Sequence, residues 1–175
     1  MTNIIRLVKK AQTGNDKAFL KLFQQYEEDL YRIAYIYVKN KDDALDIVQE
    51  TAYRSYKNII TLKNPEFFKT WLIKIAISCS IDFLRKNKNV LHLKPEYEEF
   101  MGSNDEDVPL SLSLQELLNL LNEDEKSVVI LRFYYDKTFK EISEILEIPL
   151  GTAKSVLYRS LDKLRKQAKE VDIYE

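Results

Sequence analysis

Cysteine occurs once in these 175 residues, at Cys79, which excludes an internal disulfide framework. Histidine also occurs once, at His92, so no Cys/His spacing builds a zinc site. Three glycines and four prolines are too few for a low-complexity chain. No apolar run is long enough to cross a bilayer, and Met1-Thr2-Asn3-Ile4-Ile5-Arg6 lacks a signal-peptide hydrophobic core, so a cytoplasmic protein is expected. Neither a nucleophile–base pair nor a phosphate-cradling glycine loop is visible, so neither an enzyme nor a cofactor is expected. What remains is 45% hydrophobic residues, with Leu, Ile, Lys and Glu prominent, on a length that can bury a core in one domain or two small ones. That is the composition of an ordered helical protein.

The net charge of −1 conceals a strong segregation. From Val90 to Glu116 only Lys94 faces seven carboxylates. From Lys69 to Asn89, Lys69, Lys74, Arg85, Lys86 and Lys88 face only Asp82, and from Thr152 to Lys169 six cations face only Asp162. Screening confines each field to about 8–10 Å, so two local basic regions govern attraction to phosphate more than the total does.

Thr138 to Gln167 reads as a short helix, a tight turn and a longer basic helix. Ile142 and Leu146 share a face of the first; Pro149 and Gly151 are expected to break it. Ala153, Leu157, Leu161 and Leu164 then gather on one side of the second helix, with Thr152, Ser155, Arg159, Asp162 and Lys166 opposite. A packed inner face and a polar, cationic outer face are what a helix entering the major groove requires. The pattern is a helix-turn-helix.

Four helices are predicted before it: Ile4 to Gln12, about Lys17 to Val38, Asp43 to about Ile59 capped by Asp42, and Glu66 to about Lys86 entered through Asn64-Pro65. Two more are predicted near Leu112 to Leu121 and from Glu123 to about Tyr135. Between Leu91 and Ser113, Pro95, Pro109, Gly102 and the run Asp105-Glu106-Asp107 dissolve the helical period. The expected architecture is all-α: two small helical domains, 1–89 and 112–175, joined by an acidic flexible linker over 90–111, the second containing the helix-turn-helix.

On the helix from Asp43, Ala44, Leu45, Val48, Ala52, Tyr56 and Ile59 are assigned inward and Asp43, Asp46, Gln49, Glu50 and Tyr53 outward. A solvated face, a docking surface for a basic partner and a carboxylate metal site all fit that pattern. On the next helix, Lys74, Ser78, Asp82 and Arg85 form a narrow stripe with Trp71 at its edge. It suits a nucleic-acid backbone with unstacked bases nearby, or simply a cationic helix end beside a core tryptophan.

Asp43-Ala44-Leu45-Asp46-Ile47-Val48-Gln49-Glu50-Thr51, Lys69-Thr70-Trp71-Leu72-Ile73-Lys74-Ile75-Ala76 and Ser80-Ile81-Asp82-Phe83-Leu84-Arg85-Lys86 resemble region 2 of bacterial RNA polymerase sigma factors. The closest subset is the extracytoplasmic-function class. Leu131-Arg132-Phe133-Tyr134, Glu141-Ile142, Gly151-Thr152-Ala153-Lys154-Ser155 and Tyr158-Arg159 resemble region 4. The resemblance implies that Asp43, Asp46, Gln49, Glu50 and Tyr53 bind the clamp helices of the largest subunit of core RNA polymerase. It also implies that region 4 meets the flap of the second-largest subunit. Thr61, Lys63 and Asn64 on a loop, with Lys74, Ser78 and Arg85, would read and help open the minus-ten promoter DNA; Thr152, Lys154, Ser155 and Arg159 would face the minus-35 element. A membrane-bound anti-sigma factor is the implied inhibitor. Many relatives carry asparagine where this chain has Ser78 and arginine where it has Val156. Valine cannot make arginine's bidentate contact to guanine, which leaves it a thymine methyl or the core. Two rivals make different predictions: a helix-turn-helix repressor binding duplex DNA unaided, and a metal-dependent hydrolase built on Asp43, Asp46 and Glu50.

Overall fold

Asn15, Asn40, Asn122 and Thr138 each accept a hydrogen bond from the backbone N–H three residues on, and each marks the start of a helix. The computed structural model describes residues 3–92 and 117–172. The chain divides into two units, Met1–Pro95 and Glu96–Glu175. No strand occurs among the described residues, as the all-α expectation requires.

The first unit contains α1 (Asn3–Gln12), α2 (Asp16–Gln24), α3 (Glu27–Val38), α4 (Lys41–Asn58) and α5 (Phe68–His92). Two short 3-10 turns, Ile59–Thr61 and Pro65–Phe67, link α4 to α5. Helices α3, α4 and α5 pack on one another, while α1 pairs with α2 and reaches both 3-10 turns. Leu30, Ile33, Ile47, Phe68, Leu72 and Ile73 fill the centre.

Several local expectations need correction. The single helix predicted from Lys17 to Val38 is two, because the chain turns at Gln25 and Tyr26. Glu27, Glu28 and Asp29 then place negative charge at the positive start of α3. Helix α4 is capped by Asn40, two residues before the expected Asp42. Leu45 and Tyr56, expected inside, are exposed, and Ile47, Thr51 and Ser55 are buried in their stead. Helix α5 continues through Val90–His92, the first residues assigned to the linker. The remainder of the predicted linker, and most of the helix expected near Leu112 to Leu121, lie outside the described residues.

The second unit contains α6 (Glu123–Val129), α7 (Phe139–Leu146) and α8 (Leu150–Asp172), with α6 and α7 both packed on α8. The helix predicted from Glu123 to Tyr135 widens after Val129 into a π turn over Ile130–Tyr134. There the Tyr135 N–H donates to the Ile130 carbonyl, 3.3 Å away. Between α7 and α8 the left-handed residue is Glu147, at φ 56°, not a glycine. Gly151 lies inside the first turn of α8, so the break expected there falls earlier. Ser143 closes the turn from both sides: its carbonyl accepts from the Ile148 N–H, and its hydroxyl donates to the Ile148 carbonyl at 2.6 Å.

Candidate functional site

Three surfaces collect the residues singled out by sequence. The first is the outer side of α4. At helical spacing Leu45, Gln49, Tyr53 and Tyr56 form one exposed stripe, with Asp46 and Glu50 exposed alongside it. Leu45 is 50% exposed. Asp43 is half-buried, and its carboxyl is raised above the ordinary range by burial and then by the like charges of Asp46 and Asp42. The stripe therefore repels itself. A cation brought against it would relieve that repulsion.

Glu50 is not a loose carboxylate. Arg54 donates to it at 2.6 Å, one turn along α4, and to Asp82 of α5 at 2.7 Å. Those two hydrogen bonds, Asp82 first, push the guanidinium pKa up. This bridge spans 28 residues and has a second effect, because Asp82 is the only carboxylate on the Lys74–Ser78–Asp82–Arg85 stripe. Its pairing with Arg54 leaves that stripe effectively cationic. Ser78 and Arg85 are exposed, whereas Lys74 and Trp71 are half-buried. Cys79, behind the stripe, is buried, and burial raises its thiol pKa.

The second surface is the loop between α4 and α5, where Thr61, Lys63 and Asn64 are all exposed. Thr61 donates its hydroxyl to the Asn58 carbonyl at 2.7 Å. Ile60 and Phe67 also lie exposed at the two ends of this loop, which sequence reasoning overlooked. Also overlooked was Gln12 of α1, whose amide donates to the carbonyls of Ile59 (3.1 Å) and Leu62 (2.8 Å) and so pins the loop's base. Each bond is worth about 0.5–1.5 kcal/mol. Gln12→Ala is therefore expected to lower stability by about 1–3 kcal/mol and to speed amide hydrogen exchange at Lys63. Unchanged exchange there would show that the loop is held by other means.

The third surface is the outer face of α8. Thr152, Lys154, Ser155 and Arg159 are all exposed, and the Ser155 hydroxyl donates to the Thr152 carbonyl at 3.0 Å. The two edges of this face lean on different helices. Lys154 places its ammonium 5.9 Å from the ring centre of Phe139, on α7, beside Arg132 at 5.4 Å. Arg159 pairs at 3.6 Å with Glu125, on α6. Val156 is 6% exposed, so it packs in the core. Leu161 and Leu164, expected on the inner face, are only half-buried, and Ser160 is fully buried there with its hydroxyl on the Val156 carbonyl.

Among the described residues, no group of three or more His, Cys, Asp or Glu side chains is placed to hold a metal ion, and no helix is long and apolar enough to cross a membrane.

One unit thus presents a helix face that mixes exposed apolar and acidic side chains, and the other a helix-turn-helix with a polar, cationic outer face. Residues 22–90 match the model for Sigma-70 region 2, and residues 117–166 the model for Sigma-70, region 4. The chain is 40% identical to the RNA polymerase sigma factor SigV of Bacillus subtilis, over 95% of this chain and 99% of that protein. It is 31% identical to the ECF RNA polymerase sigma factor SigW of the same organism, over 96% and 98%. Two solved structures share the fold. One is CnrH in complex with the cytosolic domain of CnrY (TM-score 0.69, 18% identity, 95% and 97% coverage). The other is the sigma factor RpoE with the anti-sigma factor NepR from Bartonella quintana (TM-score 0.73, 21% identity, 87% and 98% coverage). The chain belongs to the extracytoplasmic-function class of the sigma-70 family of RNA polymerase sigma factors. It binds core RNA polymerase and directs promoter-specific transcription initiation; it is not an enzyme, and catalysis stays with the polymerase.

Proposed function

We propose a division of this task between the two units, with residues 1–89 docking on the polymerase and opening the minus-ten element, residues 112–175 reading the minus-35 element, and residues 90–111 as the tether. In this reading the outer side of α4 meets the clamp helices of the largest subunit through Asp43, Asp46, Gln49, Glu50 and Tyr53. Leu45 belongs to that set as well. The observation that carries the reading is the combination on α4 of exposed apolar side chains with crowded carboxylates. A purely solvated face has no use for the former, and a packed one would not keep the latter.

Thr61, Lys63 and Asn64 then face the minus-ten element, with Lys74, Ser78 and Arg85 holding its backbone. A base is legible on its pairing edge only after it leaves the stack, and Phe67 offers an aromatic face at the loop. On α8, Thr152, Lys154, Ser155 and Arg159 face the minus-35 element. Guanine readout there falls to residues other than Val156, which is inside. The exposed Phe133 and Tyr134 suit the flap of the second-largest subunit. Control in a stress response by a membrane-bound anti-sigma factor belongs to the same reading, since an inhibitor that covers Leu45 and Tyr53 excludes polymerase. The working compartment would be the cytoplasm.

Run-off transcription with purified core polymerase on genomic fragments tests the assignment. Asp46→Ala/Glu50→Ala is expected to reduce transcripts at least about tenfold while leaving the helical circular-dichroism signal intact. Full activity of the double variant would refute the docking face. Tight duplex binding by the wild-type chain without polymerase would favour an autonomous repressor.

A further inference from the structure

Glu125 is the most deeply buried carboxylate among the described residues, with its side chain only 1% exposed. It stands 38 residues before its partner Lys163, whose ammonium donates to both carboxylate oxygens at 2.7 and 2.8 Å. One oxygen also accepts the Asn122 N–H at 3.0 Å, completing the capping box of α6. Capping and one lysine would already satisfy this group. Yet the same oxygen that Lys163 approaches at 2.7 Å lies 3.6 Å from Nε of Arg159, a side chain that is itself 61% exposed.

We infer that Glu125 is a positioning residue for promoter recognition, aiming Arg159 as a two-pronged donor at a guanine of the minus-35 element. At 3.6 Å the contact is an ion pair rather than a hydrogen bond, and it runs through Nε. A guanidinium that faces a carboxylate with Nε keeps its outer edge, Nη1 and Nη2, for a second partner. That planar fork fits the O6 and N7 acceptors of guanine. An unsupported arginine on an exposed helix would sample many rotamers and reach phosphates as readily as bases. Glu125 is fixed to α6 by its cap, so it holds one end of the Arg159 fork against a second helix. With Val156 turned inward, this pair supplies a guanine-reading group on the opposite side of Ser155 from Lys154.

The inference rests on the placement of α8 in the major groove, and the test separates the two. Binding of holoenzyme, reconstituted from core polymerase and the full chain, is measured against a promoter set in which each minus-35 base pair is varied in turn. Glu125→Gln keeps the shape of the side chain and can still complete a capping box, while removing the charge. The wild type should prefer guanine at one position by about tenfold, and Glu125→Gln should flatten that preference while other positions keep theirs. Arg159→Ala should abolish the same preference, and the double variant should lose no more than Arg159→Ala alone.

If Arg159→Ala flattens one position and Glu125→Gln does not, the aiming role is overturned while groove placement stands. If Arg159→Ala alters no position, the reading of α8 at that residue fails first. Thermal melting of each full-length variant checks folding, and a Glu125→Gln variant that melts like the wild type but reads the wild-type promoter unchanged also overturns the inference.

Discussion

Phe68→Ala is expected to destabilise the first unit by about 3–5 kcal/mol, the usual range for emptying a fully buried phenylalanine site. Phe68 is 0% exposed, with its ring centre 5.9 Å from those of both Tyr26 and Trp71. It therefore joins the turn between α2 and α3 to the start of α5, and its loss opens a cavity that three elements must share. Against a total stability of about 5–15 kcal/mol, that leaves a substantial unfolded population on mild warming. Urea unfolding followed by circular dichroism should show a lower midpoint at unchanged slope. Its neighbour provides the control. Phe67 is 57% exposed, so Phe67→Ala should stay within about 0.5 kcal/mol of wild type. Equal effects from the two would mean that the packing around α5 is misassigned.

The second large effect concerns Glu125 and acid. Burial raises its carboxyl pKa, but the hydrogen bonds from Lys163 and the Asn122 N–H, with the charges of Lys163 and Arg159, outweigh burial and leave it below its ordinary value of 4.5. A carboxyl depressed on folding contributes stability in full above its unfolded value and loses it as pH falls through its folded one. The second unit should therefore hold its stability down to about pH 5 and weaken steadily below about 4.5. Glu125→Ala removes the side-chain half of the capping box and the pair together, at about 2–3 kcal/mol. The lower end of the penalty for breaking a buried pair applies because Lys163 is half-exposed and water can rehydrate it. Thermal melts between pH 7 and pH 3.5 should show the variant losing less on acidification than the wild type. Parallel curves would mean that other groups dominate the acid transition.

The parts of this fold that sequence reasoning located are those written in local period and local caps. Ala153 and Leu157 repeat at helical spacing on α8, and α7 follows from Ile142 and Leu146, four apart on one face. The break at Gln25–Tyr26 escaped because Phe19, Leu22, Phe23, Leu30 and Ile33 keep a helical period straight through it, with no proline or glycine to mark the turn. Helical period alone places Leu45 and Tyr56 inward, because an apolar residue meant for a partner has the same composition as one meant for the core. The long-range pairs were out of reach for another reason. Gln12 meets Leu62 across 50 residues, Arg54 meets Asp82 across 28, and Glu125 meets Lys163 across 38, and no periodicity encodes such distances. Glu27–Asp29 and Asn40 are local signals for the starts of α3 and α4.

The widened turn at Ile130–Tyr134 has a consequence for how this protein can diversify. An ordinary helix would carry the buried row of Val128 and Leu131 on into the next turn. The extra residue instead swings Phe133 and Tyr134 out to solvent while Ile130 and Leu131 stay anchored inside. The Phe133 ring can consequently be exchanged for others without disturbing the interior beneath it, so the choice of whom to meet at this spot is uncoupled from the need to fold.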